Sequence, residues 1–141
     1  MFLHFVFQSK YYCIGHIIYM NKSVDAMFRY GVFLKEGLGG RKDPKKAFTQ
    51  FTRAAENGHA YAAVVAFDML SNGDGTKKDM ALAYRIGRNM AGQGEVYGAL
   101  MAASALLQSK DATSHKDEIL YWTDQAIRNG DDSIKGKMVP L

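Results

Sequence analysis

The chain has 141 residues, of which 48% are hydrophobic and 23% are charged, a balance typical of a soluble globular protein rather than of a disordered tail. Its single cysteine excludes an internal disulfide framework and any zinc or iron–sulfur site that needs several cysteines. The formal net charge of +4 is too small to indicate a dedicated nucleic-acid arm. Composition therefore indicates one domain of ordinary size and leaves its function open.

Residues 1–22 form an apolar, aromatic segment that precedes the patterned part of the chain. It differs from a secretory signal peptide, because no Lys or Arg precedes its apolar stretch, Lys10 interrupts it and no Ala-x-Ala follows. Polar residues also break it below the roughly 20 apolar residues that a membrane span needs. We weigh three interpretations: a cap for the repeats, a stretch upstream of a natural start at Met20, and a divergent signal. A cytoplasmic location is the default expectation, with export or envelope association left open.

Residue types recur along the chain with a constant period of 36 residues. The matched pairs are Gly37 and Gly73, Gly39 and Gly75, Asp43 and Asp79, Ala47 and Ala83, Ala55 and Ala91, and Gly58 and Gly94. The period predicts a repeat domain over 23–133, with clear copies at 26–61 and 62–97 and a degenerate copy at 98–133. Residues 134–141 are expected to form a flexible tail.

Each copy has the apolar spacing of two helices separated by a turn. Gly37 and Gly73 are expected to end first helices as left-handed residues, and Asp43 and Asp79 to begin second helices as N-caps. In the third copy, Ser114-x-x-Asp117 resembles a capping box. A single helix pair cannot bury its own apolar face, so the pairs must stack. We therefore predict an all-α solenoid of α/α helical hairpins.

The first copy resembles a Sel-1-like repeat, a tetratricopeptide-like unit, on the string Tyr30-Gly31…Gly37-x-Gly39…Asp43-x-x-Lys46-Ala47…Arg53-Ala54-Ala55-x-x-Gly58. The second copy departs from the pattern at Phe67 and Gly87. The resemblance covers roughly residues 26–130. It implies a right-handed superhelix whose first helices line a concave groove, and an adaptor or scaffold, often bacterial, that holds a protein or peptide partner there.

If the first helices line a groove, their exposed side chains are the candidate partner contacts. Helical spacing selects Arg29, Phe33, Asp68, Met69 and, in the third copy, Ser104. Long, flexible Met and aromatic side chains suit adaptable contacts. Core packing is the alternative for Phe33 and Met69.

A second candidate surface is basic. The residues that form it lie in or beside the turns between helices, and they are Arg41, Lys42, Lys45, Lys46, Lys77 and Lys78. Stacked repeats would bring these turns onto one edge, giving a basic ridge for an acidic partner, an anionic lipid or a nucleic acid. Nucleic acid is disfavoured because no aromatic residues are interleaved with the cations. A solvated loop surface is the alternative.

No catalytic residue, metal site or cofactor is predicted. The glycine-rich turns lack the spacing of a phosphate-binding loop, and 72–76 lacks the carboxylates of a calcium loop. No two histidines share a helix at metal-ligand spacing, and His59 is expected to be a turn residue. We therefore predict a non-enzymatic adaptor. Alternatives are a self-associating module joined through the open ends of the solenoid, and a regulator or neutralising partner of an enzyme or toxin.

Overall fold

The computed structural model describes residues 23–130, and this part of the chain is all-α, as predicted. Its helices are α1 (Val24–Glu36), α2 (Pro44–Glu56), α3 (Ala60–Asn72), α4 (Met80–Gly92), α5 (Val96–Leu107) and α6 (Lys116–Asn129). A short 3₁₀ helix, Ala112–His115, precedes α6. The segment at 1–22, for which three interpretations were weighed, and the tail at 134–141, for which a flexible end was predicted, lie outside the described residues.

The six helices pack as sequential hairpins, which confirms the predicted α/α plan. They belong to two compact units, one ending at Lys78 and the other beginning at Asp79. In the first unit α2 packs against both α1 and α3, and in the second unit α5 packs against both α4 and α6. The handedness of a superhelix and its concave groove stay predictions.

The helix ends confirm which residues were predicted to end the first helices and to begin the second ones. Gly37 and Gly73 end α1 and α3 in left-handed conformations, with φ of +71° and +68°. The side chain of Asp43 accepts a hydrogen bond from the backbone N–H of Lys46, and that of Asp79 accepts one from the backbone N–H of Leu82, each at 3.0 Å. The six glycines that the 36-residue period matches in pairs all have a positive φ, namely Gly37, Gly39, Gly58, Gly73, Gly75 and Gly94. The 36-residue period therefore records a backbone requirement as well as a sequence pattern.

Large and small residues share the core of the first unit. Leu34, Phe51, Met69 and Leu70 are fully buried there. Among the small signature residues, Ala47 is fully buried and Ala55 is buried. Gly31 lies directly under the Phe51 ring, so that a Cβ at this position would stand 2.8 Å from Cε1. Because the Phe51 ring occupies the space where a Cβ would lie, any residue other than glycine at position 31 would have to displace the ring.

Close backbone approach organises the second unit. A Cβ at Gly98 of α5 would overlap the backbone nitrogen of Ala91, and a Cβ at Gly87 of α4 would lie 2.6 Å from the backbone nitrogen of Ala102. Ala83 is fully buried in the same unit, and Ala91 is half-buried. The departure from the repeat pattern at Gly87 thus has a physical reason, because a larger side chain would hold α4 and α5 apart.

The predicted capping box at Ser114 is wrong. Helix α6 begins at Lys116, its N-cap residue is His115, and no side chain caps it. Ser114 lies inside the preceding 3₁₀ turn, where its backbone N–H donates to the carbonyl of Asp111 at 2.9 Å. A residue already in a helical turn lacks the extended backbone that an N-cap hydroxyl needs to reach forward.

Candidate protein-binding surfaces

Helices α1, α3 and α5 are the first helices of their hairpins, and the residues predicted to face a groove lie on them. Met69 cannot do so, because its side chain is fully buried in the core of the first unit. Phe33, one period earlier, is half-buried, and Ala105, one period later, is fully buried. This register faces the core, so Met69 is removed from the candidate contacts.

Arg29 is exposed on α1 and forms an ion pair with Asp25, one turn earlier, at 2.8 Å. The other carboxylate oxygen of Asp25 lies 3.9 Å from Nε2 of His59. An exposed ion pair of this kind adds little stability, because water and salt screen both charges. Arg29 is therefore available to a partner at a small energetic cost.

His59 has a role that the sequence did not reveal. Its Nδ1 accepts a hydrogen bond from the backbone N–H of Ala62 at 3.1 Å, so it is the N-cap of α3. Its ring stacks on Phe28 of α1, with a centroid distance of 4.4 Å. Histidine is an unusual N-cap, which is why a turn residue was expected here. The side chain joins the start of α3 to α1.

Asp68 and Ser104 occupy equivalent positions, 36 residues apart, on α3 and α5. Asp68 is exposed and Ser104 is half-buried. Each accepts a hydrogen bond from an amide side chain one turn later: Asn72 donates to Asp68 at 3.0 Å, and Gln108 donates to Ser104 at 3.1 Å. The two helices therefore present the same kind of polar pair at the same point of the repeat.

Two tyrosines extend this equivalence, and sequence reasoning missed them. Tyr61 on α3 and Tyr97 on α5 are 36 residues apart, and their exposed fractions are 75% and 55%. Val64, 42% exposed, stands at the position equivalent to half-buried Leu100. The 36-residue period that located the glycines could also have located these tyrosines, since the two tyrosines are separated by the same 36 residues.

We call these positions the open stripes. The stripe of α3 consists of Tyr61, Val64, Asp68 and Asn72, and the stripe of α5 consists of Tyr97, Leu100, Ser104 and Gln108. Each stripe begins with an exposed aromatic ring, continues with an aliphatic side chain and ends with an amide-bonded polar pair. Tyrosine combines a large apolar surface with a polar tip and is enriched at protein interfaces.

The predicted basic residues lie at a single edge of the first unit, which we call the basic edge. All six are exposed: Arg41, Lys42, Lys45, Lys46, Lys77 and Lys78. The two turns that carry them touch, because a Cβ at Gly75 would overlap the carbonyl of Pro44. Between residues 23 and 130, none of the six forms an ion pair.

A cleft of about 610 Å³ lies within the second unit, a size typical of ligand-binding pockets. Trp122 and Tyr121 of α6 form one wall, and Arg88 and Glu95 stand on the α4 side and at the start of α5. The indole N–H of Trp122 donates to the Tyr84 hydroxyl at 3.1 Å, and that hydroxyl donates to Glu118 at 3.2 Å. These two bonds fix the orientation of the wall.

No three His, Cys, Asp or Glu side chains within 23–130 converge to hold a metal ion. None of the described helices has the length and apolarity to cross a membrane.

Comparison with known proteins gives the same architecture. The model of the Sel1 repeat family matches residues 24–59 and 60–94. A crystal structure of a Sel1 repeat protein from Oxalobacter formigenes superposes with a TM-score of 0.61 at 24% sequence identity, over 82% of this chain. The match spans 47% of that protein, so this chain corresponds to about half of it. No curated protein matches the sequence.

Proposed function

Because the chain belongs to the Sel1 repeat family, whose members typically serve as protein-interaction scaffolds, we propose that it is a protein-binding adaptor whose partner contacts the open stripes. The observation that carries the proposal is the pair of exposed tyrosines at equivalent positions of α3 and α5. Neither ring is needed to bury the core, and a repeat that keeps an aromatic ring exposed in each unit offers a partner the same kind of apolar contact twice.

Charged residues of the first unit supply the specificity of this contact. Asp68 belongs to the stripe of α3, Arg29 lies on α1 outside the stripes, and both are exposed with opposite charges. A partner segment with an apolar or aromatic side chain and charged neighbours would suit the first unit. The Sel1 repeat is usually non-catalytic, and an adaptor needs no chemistry of its own.

Affinity capture from the native cell tests the proposal. The chain carries a C-terminal tag, and mass spectrometry identifies the proteins that elute with it. We expect one near-stoichiometric protein, whose recovery falls at least about tenfold when Tyr61→Ala and Tyr97→Ala are combined, since each such hot-spot tyrosine contributes about 1 kcal/mol or more.

The matched control combines Leu120→Ala with Ile127→Ala, which removes two exposed apolar side chains from α6. This variant should capture the partner as well as the parent chain does. Equal capture by the tyrosine variant and the parent, or loss in the control alone, would contradict the assignment of the open stripes.

Self-association is a second candidate, favoured by the outer face of α6. Leu120 is 59% exposed and Ile127, two turns later, is also exposed. Residues seven apart share one helix face, so the last described helix presents two exposed apolar side chains on the same face. Sedimentation velocity at tens of micromolar decides: a monomer rejects this candidate, and a dimer that Leu120→Lys dissociates supports it.

A further inference from the structure

None of the cations of the basic edge forms an ion pair within residues 23–130. Three carboxylates lie in the same two stretches of chain, 37–46 and 72–79: Asp43 and Asp79, which accept the N-cap hydrogen bonds of α2 and α4, and Asp74. The six cations outnumber these three carboxylates, so the two stretches together carry a net charge of +3. Such an excess creates a local positive potential that attracts a polyanionic surface.

Two of the cations even oppose local stability. Lys45 and Lys46 lie in the first turn of α2, where the N-cap carboxylate of Asp43 is the acidic group that accompanies them. The helix dipole is positive at that end, so a cation there is unfavourable. Residues that violate a local rule without a structural gain are expected where function demands them.

The turns also hold their cations in fixed positions. Gly37, Gly39, Gly73 and Gly75 adopt left-handed backbone conformations that few other residues tolerate. Gly75 packs against Pro44, which locks the second turn onto the start of α2. The basic edge is thus a built surface rather than a set of independent loops.

Its chemistry distinguishes among polyanions. Five of the six cations are lysines, which act as point charges, whereas specific recognition of a carboxylate or phosphate favours the fork of arginine. No aromatic residue lies within 37–46 or 72–79, so nucleobases would find no ring to stack on. A diffuse array of lysines suits a surface of smeared negative charge.

Leu38 supplies the apolar component of such a contact. It stands between Gly37 and Gly39, three residues before Arg41, and is 51% exposed. A leucine amid lysines can enter the interface of a bilayer while the cations contact the headgroups.

We propose that the basic edge, together with Leu38, binds the anionic surface of a lipid bilayer. The contact uses no residue of the open stripes, so membrane binding and partner binding are separate properties of this chain. The protein would attach peripherally, through charge and one shallow side chain, and would be released by salt.

Co-sedimentation with vesicles tests this proposal. The full chain is mixed with vesicles of phosphatidylcholine containing about 30% phosphatidylserine, and with pure phosphatidylcholine vesicles. We expect binding only to the anionic vesicles, and its loss when salt rises from about 0.1 M to about 1 M, which shortens the screening length from about 10 Å to about 3 Å.

Charge reversal locates the contact. Lys77→Glu combined with Lys78→Glu should lower the partition coefficient at least about 25-fold, because each cation near the membrane surface is worth about fivefold in binding. The matched control combines Lys110→Glu with Lys116→Glu, which changes the net charge equally at exposed positions of the second unit. It should bind nearly as well as the parent. Leu38→Gln should weaken binding several-fold while leaving the salt dependence intact.

Three results would overturn the proposal. One is the absence of binding to the anionic vesicles, and another is an equal loss in the control. The third is binding of a glutamate-rich peptide or of duplex DNA, sensitive to Lys77→Glu and Lys78→Glu, without binding to vesicles. That outcome would assign the basic edge to an acidic protein segment or to a nucleic acid. Circular dichroism confirms that each variant is folded.

Discussion

At the scale of single residues, His59 makes three different interactions at the start of α3. Its imidazole accepts the first-turn N–H of Ala62, stacks on Phe28 and approaches Asp25. The usual N-cap residues are small and polar, and they cap without reaching another helix. Histidine at position 59 therefore caps α3 and also contacts α1, which a smaller cap residue would not reach.

Replacing His59 separates the cap from the ring. His59→Ala should lower the free energy of unfolding by about 1–2 kcal/mol, because the cap bond and the ring contact are both lost. His59→Asn should recover about half of this, since asparagine is a good N-cap without the stacking ring. Urea unfolding measures both. Equal stability of the alanine and asparagine variants would show that the cap bond contributes nothing.

Gly75 and Gly94 test what the signature glycines do. Both have a positive φ, of +70° and +83°, but a Cβ at Gly75 would overlap Pro44, whereas a Cβ at Gly94 would meet nothing within 4 Å. Gly94→Ala should cost about 1 kcal/mol from backbone strain alone. Gly75→Ala should cost about 2–4 kcal/mol, because the turn must also move. Equal costs in urea unfolding would contradict the contact between the two turns.

At the scale of helices, the sequence predicts which residues punctuate the fold better than which residues face outward. Glycines with positive φ and aspartate caps are local features, and the 36-residue period marks them all. Exposure depends on neighbours. Phe33 and Met69 share a register, yet one is half-buried and the other is fully buried. Helical spacing alone could not assign that register to the core.

Local spacing also failed to predict which residues cap two of the helices. It favoured Ser114, which is not a cap, and it missed His59, which is one. Ser114 has the spacing of a capping box, but the 3₁₀ turn at 112–115 precedes α6 and occupies its place. His59 has no cap signature, yet it caps α3. In both cases the backbone before the helix decides, and that backbone is set by packing rather than by the local sequence.

The bridge between α4 and α6 gives a prediction at this scale. The Tyr84 hydroxyl lies between Trp122 and Glu118, accepting from the first and donating to the second. Tyr84→Phe should lower the free energy of unfolding by about 1 kcal/mol, because the half-buried indole N–H loses its acceptor. The only tryptophan of the chain reports the transition by fluorescence.

Tyr97→Phe is the matched control, since the Tyr97 hydroxyl has no described hydrogen bond. It should change stability by less than about 0.5 kcal/mol, as surface substitutions usually do. If the two variants are equally stable, the Tyr84 bridge is not a stabilising feature of the second unit.

At the scale of the whole molecule, the repeat family and the all-α fold follow from the sequence, while the partner does not. The periodic residues are those that the repeat needs in order to fold, so they identify the architecture and carry no information about what it holds. The proposed functions therefore rest on residues that the fold leaves exposed, above all Tyr61, Tyr97 and the basic edge. A cytoplasmic location stays a prediction.

Site-specific photo-cross-linking tests most directly whether a partner binds the open stripes. A benzophenone amino acid is placed at Tyr61, at Tyr97 or, as a control, at exposed Arg85 of α4, and the cells are irradiated. We expect the same cross-linked protein from positions 61 and 97 and none from position 85. An adduct from position 85, with none from either tyrosine position, would contradict the claim.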